Sequence, residues 1–407
     1  DFIQHCQAHP ETIIAIDIET WGRKLSCVGF ADSNTHAIVL QTSPKRCLER
    51  WLPWIKAICA LPNVKVLQNG LYDTYWLAHY GVEVKNWLYD TLCMHHVIDP
   101  TEEHSLEFLT SIYTRQPYYK DEAKDAEEIR KYARNLDALW TYNALDCCVT
   151  HEICERLFNE LQKRHLLNFY FKHYQRMFQP LLGTMLHGIR VDVAAQKEFA
   201  KQLLRECDAL RERLKEAAGE ELYATERKVV WREPTGEEWE QLLTEDYYKS
   251  DDFGREGPPK PKYINREAAK RLGYVMTRGL IKERHEVPKK DFSNTKLKRF
   301  FFEKLGVPKQ RKRRTKKETL DETTLRRIAL KYPQKVKEYP LMVLQHREKK
   351  KEHQYVKGAW DKDGRIRCQY KLTTDAGRLA SSKNPRGKGY NLQNVKRGEI
   401  RRTFLPD

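Results

Sequence analysis

The stretch Ile13–Gly22 reads IIAIDIETWG, and it narrows the fold more than any other part of the chain. A run of aliphatic residues predicts a buried strand, yet this one ends in Asp17 and Glu19 with one isoleucine between them. Side chains alternate across a strand, so Asp17 and Glu19 point to one face while Ile16 and Ile18 point to the other. Two like charges held side by side repel unless something positive lies between them. A metal ion is the usual remedy, and the rest of the chain decides whether one is there.

Downstream, strand and helix patterns alternate. SCVGFADSNTHAIVL alternates and contains turn residues, which predicts a hairpin over about 25–40. A Trp-rich helical stretch follows, then VKVLQ as a short buried strand, then NGLYDTYWLAHYG as a helix ended by Gly81. Leu71, Trp76, Leu77 and Tyr80 are its candidate core positions. Asp73 falls in its first turn, where the helix dipole favours a carboxylate. ALWTYNALDCCVTHEICERLFNELQ reads as a long amphipathic helix in which Tyr142 and Asp146, four apart, share one face. The expected fold is α/β, a central sheet with helices packed on it.

Singly, each acid has an ordinary explanation: Asp73 as a helix N-terminal charge, Asp146 as a solvated helix residue. Tyr142 alone would be core. Together, DIE at 17–19, QNGLYD at 68–73 and YNALD at 142–146 form an ordered set. That set resembles the three motifs of the proofreading 3′→5′ exonucleases. YDTLCMHHVIDP at 89–100 is similar to the family's segment between the second and third motifs. The resemblance implies a ribonuclease H-like mixed sheet with flanking helices over 1–165, and hydrolysis of phosphodiesters at a 3′ end. Such a reaction needs a nucleophilic water and a stabilised leaving oxygen, and two divalent ions about 3.5–4 Å apart serve both. Mg²⁺, with Mn²⁺ as a substitute, takes oxygen ligands, and the lack of Cys/His ligand spacing argues against zinc. Asp17, Glu19, Asp73 and Asp146 are the expected ligands. By resemblance, Tyr142 orients the attacking water and Asn69 helps position the substrate end.

Charge divides the chain. Residues 1–165 carry 17 Lys+Arg against 23 Asp+Glu, leaving 57 against 34 of the chain's 74 and 57 for residues 166–407. A basic surface of that size points to a polyanion, most simply nucleic acid. The alternative is a solvated basic face, but the charge is concentrated: seven of the nine residues from Lys309 to Lys317 are Lys or Arg. The ten cysteines form no CxxC pair and read as free thiols of a reducing compartment. No apolar run of transmembrane length and no signal-peptide pattern occurs, so an intracellular protein is expected; the family resemblance implies a bacterial cytoplasm, the protein's own or that of a phage-infected host.

The basic rear begins with helical sequence over 166–219, interrupted at MLHGIRVD, where Gly188 permits a turn. Residues 220–292 show poor pattern and read as an insertion or flexible arm. Pattern returns at DFSNTKLKRFFFEKLGVP, with Ser293 or Asn294 as cap and Leu297, Phe300, Phe301 and Leu305 on the buried face. FFEKLGVP, TTDAGRLASS and NLQN resemble, in order, the thumb (293–358) and the start of the α+β palm (359–407) of family A DNA polymerases. The resemblance implies Arg347, Lys350 and Lys351 as phosphate contacts, which hold DNA without reading sequence. It also implies Arg378, Asn391 and Gln393 as minor-groove donors near the primer end, where N3 and O2 acceptors are common to all base pairs. Ala380 interrupts the family's Arg-Leu-Ser-Ser order, and RGKGY lengthens the approach to NLQN.

The family's palm aspartates and fingers helix have no counterpart up to Asp407; Asp363, Asp375 and Asp407 stand in other contexts. The expectation is a fragment, or one chain of a polymerase whose palm and fingers lie on a second polypeptide. The leading function is Mg²⁺-dependent proofreading with gripping of primer–template DNA and its single-stranded 3′ end, without a membrane. The alternatives are an exoribonuclease using the same carboxylates, or a non-catalytic DNA clamp for a palm-bearing partner.

Overall fold

A computed structural model describes residues 1–407 apart from 23, 118–135, 220–221, 233, 249–263, 278–279, 313–314, 359, 375 and 396. The aliphatic run with its two acids forms β1 (Ile14–Trp21). It lies at the middle of a five-stranded sheet ordered β3-β2-β1-β4-β5, with β2 Lys24–Ala31, β3 Ala37–Gln41, β4 Lys65–Leu67 and β5 Trp87–Asp90. β1 runs antiparallel to β2 and parallel to β4, so the sheet is mixed. The predicted hairpin is β2 and β3. A parallel neighbour needs a crossover, and the chain passes from β3 to β4 through helix α2 (Lys45–Ala60), which follows α1 (Phe2–Ala8).

Helices α3 (Leu71–Ala78), α4 (Thr91–Ile98), α5 (Leu106–Tyr113) and α6 (Leu136–Lys163) complete the layer. On α6, Asn143, Cys147, Thr150, Ile153, Cys154, Leu157 and Leu161 are buried, a three-and-four spacing that turns one stripe to the sheet. Ile16, Ile18, Val28, Phe30, Val66, Trp76 and Leu77 share that core, with Tyr80 packed at its edge. All ten cysteines are unpaired, as their spacing predicts.

The core does not stop at residue 165. Tyr170, Tyr174, Phe178, Leu181 and Met185 join it, and Phe178 stacks on Trp87 with ring centroids 4.5 Å apart. Tyr170 takes the Asp90 N–H at 2.9 Å and gives its hydroxyl hydrogen to the Leu88 carbonyl at 3.0 Å. Gly188, at φ +68°, turns the chain from helix Phe178–His187 into strand β6 (Ile189–Arg190). A Cβ there would come within 2.6 Å of the Ile366 carbonyl. β6 pairs with β10 (Arg365–Ile366), and β11 (Cys368–Lys371) with β12 (Ala380–Lys383) forms a hairpin. Asp1–Lys201 and Glu352–Asp407 thus make one compact unit, and Gln202–Lys351 a second.

The second unit has its own core of Leu214, Leu297, Phe300, Phe301, Leu325, Ile328 and Val343. Ser293, rather than Asn294, caps helix Asn294–Arg299, and Asp321 caps helix Glu322–Lys331. Residues 220–292 depart from expectation. Instead of a loose arm, their described part contains an antiparallel ribbon of β7 (Tyr223–Arg232) and β9 (Leu280–Phe292), with β8 (Met276–Thr277) added to β9. Leu242, Ala269 and Ile281 are buried together beside it. The basic run falls partly outside the described residues; around it, Arg311 bridges to Glu318 as a tight antiparallel turn.

Candidate metal centre

The centre is built from the register of two strands and one helix. Asp17 lies opposite Gly29 and Glu19 opposite Cys27, with a bulge after Glu19. Gly29 is the place where α6 comes closest: a Cβ there would lie 2.5 Å from Asn143 Oδ1 and 2.6 Å from Cys147 Sγ. With no side chain in the way, α6 settles on β2 and Asn143 Nδ2 donates to Asp17 Oδ2 at 2.7 Å. The same approach delivers Asp146. Asp17, Glu19 and Asp146 each offer an oxygen, and these oxygens lie within 4.8 Å of one another. Asp146 is buried, while Asp17 and Glu19 are partly open. Tyr142 is half-buried one turn ahead of Asp146.

Asp73 stands apart from that trio. It is buried in the first turn of α3, and its Oδ1 accepts the Ile18 N–H at 3.2 Å. Burial pushes its carboxyl well above the usual range; the backbone N–H bonds pull it back, and the Asp90 and Glu19 charges add to the rise. Of the four expected ligands, then, three share one point and the fourth lies under the next residue of the same strand. Asn69 is exposed in the left-handed backbone region, φ +58°, at the entrance to α3.

Other residues of the centre were not singled out as site residues from the sequence. Asn143 is fully buried and accepts from Cys27 Sγ at 3.7 Å on its Oδ1, which fixes which way its amide points. Burial, with the Glu19 and Asp17 charges behind it, raises the Cys27 thiol far above its ordinary range, so it stays a neutral donor. Asp90 caps α4 through the Cys93 N–H and also takes the N–H groups of Asn69 at 3.3 Å and Gly70 at 2.8 Å. It thereby holds the loop that presents Asn69 and Asp73. Tyr72 Oη and Thr20 Oγ1 are 3.0 Å apart, joining α3 to the end of β1. Asn143 and Asp90 both stand inside quoted motif segments, and helical spacing beside Asp146 was the one available signal for the former.

Among the expected DNA contacts, Arg347 donates to the Leu320 carbonyl at 2.6 Å and to Asn294 Oδ1 at 3.0 Å, and burial lowers its guanidinium pKa. Lys351 and Arg378 are exposed and Lys350 is half-buried. Arg378 sits on a turn closed by Thr374 Oγ1, which takes its N–H at 3.0 Å. Asn391 Oδ1 accepts from Ser381 Oγ at 2.6 Å and from the N–H of exposed Gln393 at 3.0 Å.

Residues 1–162 match the family of 3′–5′ exonuclease domains found in family A DNA polymerases. The front of the chain is thus similar to 3′–5′ exonuclease domains. DNA polymerase I of Synechocystis is 30% identical over 161 residues, covering 38% of this chain and 16% of that protein. The whole chain is similar in fold to the POL domain of Pol1 from M. smegmatis, solved with DNA primer-template and dNTP. The TM-score is 0.63 at 17% identity, over 100% of this chain and 57% of that one. The chain therefore spans a minor part of the curated polymerase and over half of the solved domain. The matched region carries its trio of acids on the sheet's central strand and on α6, and among the described residues no helix is long and apolar enough to cross a membrane.

Proposed function

We propose that the exonuclease domain removes nucleotides from DNA 3′ ends by Mg²⁺-dependent hydrolysis, and that basic residues downstream grip primer–template DNA. The convergence of Asp17, Glu19 and Asp146 oxygens within 4.8 Å carries this reading. The donors are all hard carboxylate oxygens, which fits Mg²⁺ or Mn²⁺ and not zinc. Divalent ions held there would supply Lewis-acid polarisation of the phosphoryl group and charge for the departing 3′ oxygen. The chain's own residues do the positioning. Asn143 fixes the Asp17 carboxylate, and Tyr142, on the same helix face as Asp146, orients the attacking water. Asn69 meets the terminal nucleotide, and Asp73 is the ligand added when a second ion is held.

For the grip, Lys350, Lys351 and the Lys309–Lys317 run address phosphates, while Arg378 and Gln393 reach for the minor groove. Asn391 uses its oxygen as a cap, so its amide nitrogen is the donor it can offer. Arg347 serves this surface chiefly by tying Leu320 and Asn294 in place.

A 5′-labelled primer–template with a mismatched 3′ end, given Mg²⁺ and all four dNTPs, tests the reading. Stepwise shortening is expected, lost with EDTA and lost in the variant carrying Asp17→Ala and Glu19→Ala. Shortening that persists in that variant would sink the assignment. An unchanged primer with the native chain would favour the clamp, and preference for RNA over DNA the exoribonuclease.

A further inference from the structure

The Trp-rich helix has a use that the carboxylate centre does not explain. A cavity of about 460 Å³ lies at the β3 edge of the sheet, between Val39 and Gln41 of β3, Arg46, Arg50 and Trp51 of α2, and Trp140 of α6. Its place follows from register. Asp17 faces Gly29, which faces Val39, and Glu19 faces Cys27, which faces Gln41. Cross-strand partners share a face, so the cavity is on the carboxylate side of the sheet, two strands or about 10 Å away. Helix α6 runs between them, with Asn143 and Cys147 over Gly29. Trp140 precedes Tyr142 by two residues, about 200° around the helix, and so turns to the opposite flank.

The lining is basic within an acidic domain. Arg46 and Arg50, four apart, are exposed on one side of α2, and among the described residues neither is paired with a carboxylate. The first turn of this 16-residue helix holds no acid and instead begins with Lys45 and Arg46, while Pro44 offers no side-chain cap. Cations at a helix N-terminus are unfavourable unless an anion joins them. Arg50 lies over the Trp51 ring at 4.7 Å, and the Trp140 indole N–H is buried without an acceptor.

We propose that this cavity binds one nucleotide unit, with its base against Trp51 and Trp140 and its phosphate on Arg46, Arg50 and the first amides of α2. The volume falls within the roughly 300–1,000 Å³ usual for small-molecule sites. Aromatic faces take any base, so the site is sequence-tolerant. A free nucleoside monophosphate and a nucleotide within a single strand present the same chemistry. Either would bear on the first turns of α6, which present Tyr142.

The test separates this site from the metal centre by using the full chain with Asp17→Ala and Glu19→Ala, in EDTA, so that it stands whether or not the domain hydrolyses DNA. Calorimetric titration with dAMP should saturate. Deoxyadenosine and inorganic phosphate should each bind at least about tenfold more weakly, since each keeps half of the contacts. Adding Arg46→Ala and Arg50→Ala should weaken dAMP about tenfold with an unchanged far-ultraviolet spectrum. If that variant misfolds, Trp140→Ala removes one stacking face and should still weaken dAMP about tenfold. Displacement of dAMP by a short oligo(dA) assigns the site to a strand; no displacement assigns it to free nucleotide. Absence of saturation up to about 10 mM dAMP, or equal affinity in the arginine variant, overturns the proposal.

Discussion

Asn143 gives a hydrogen to Asp17 and takes one from Cys27, and both bonds need the space that Gly29 leaves open. Replacing Asn143 with Leu removes the donor while keeping the volume. Single-turnover shortening should slow about tenfold or more, with DNA affinity nearly unchanged, because the loss is in ligand orientation. Gly29→Ala should cost about 1–3 kcal/mol in urea unfolding, as a methyl forced into a close-packed contact does. It should lower the rate as well, because lifting α6 moves Asp146. The acids of the centre were legible from strand alternation and motif order. Asn143 was not, although it lies between Tyr142 and Asp146, because its work depends on the absence of a side chain on β2.

The elements around the centre are held by a second carboxylate with a distinct pH signature. Burial pushes Asp90 up to about 6, against the pull of the Gly70, Cys93 and Asn69 N–H groups. An unfolded aspartate releases its proton near 4. Between about pH 4 and pH 6 the folded chain therefore holds a proton that the unfolded chain has lost, and stability falls as pH rises through that window, by about 3 kcal/mol in all. Urea midpoints compared on either side of the window should show this fall in the native chain and its absence in Asp90→Asn. That variant should also be less stable throughout, since one amide oxygen replaces a carboxylate serving several N–H groups. The strands of the front domain were readable because each buries an aliphatic face. The β7–β9 ribbon was missed for the converse reason: the adjacent Val229 and Val230 are 47% and 43% exposed, so both faces are open there and no period of two marks that stretch.

At the scale of the whole chain, the positive charge lies behind residue 165, whereas the acids of the centre lie ahead of it. DNA affinity should therefore fall steeply with salt, about 10³-fold between about 50 and 200 mM if six or so phosphates are contacted. Electrophoretic mobility shifts across that range check it, and a flat response would contradict the grip. The likeness of residues 1–162 to 3′–5′ exonucleases was legible from the motifs. The return of residues 352–407 to the unit begun by residues 1–201 was not, because it rests on contacts far apart in sequence, such as Leu372 in the front core.

That return has a consequence in time. The segment Gln202–Lys351 is synthesised after most of the front unit and before its last part. At about 5–20 residues per second, a ribosome takes roughly 8 to 30 seconds to make it. For that interval the nascent front unit carries apolar surface that only residues not yet translated will cover, a window in which a chaperone has something to hold.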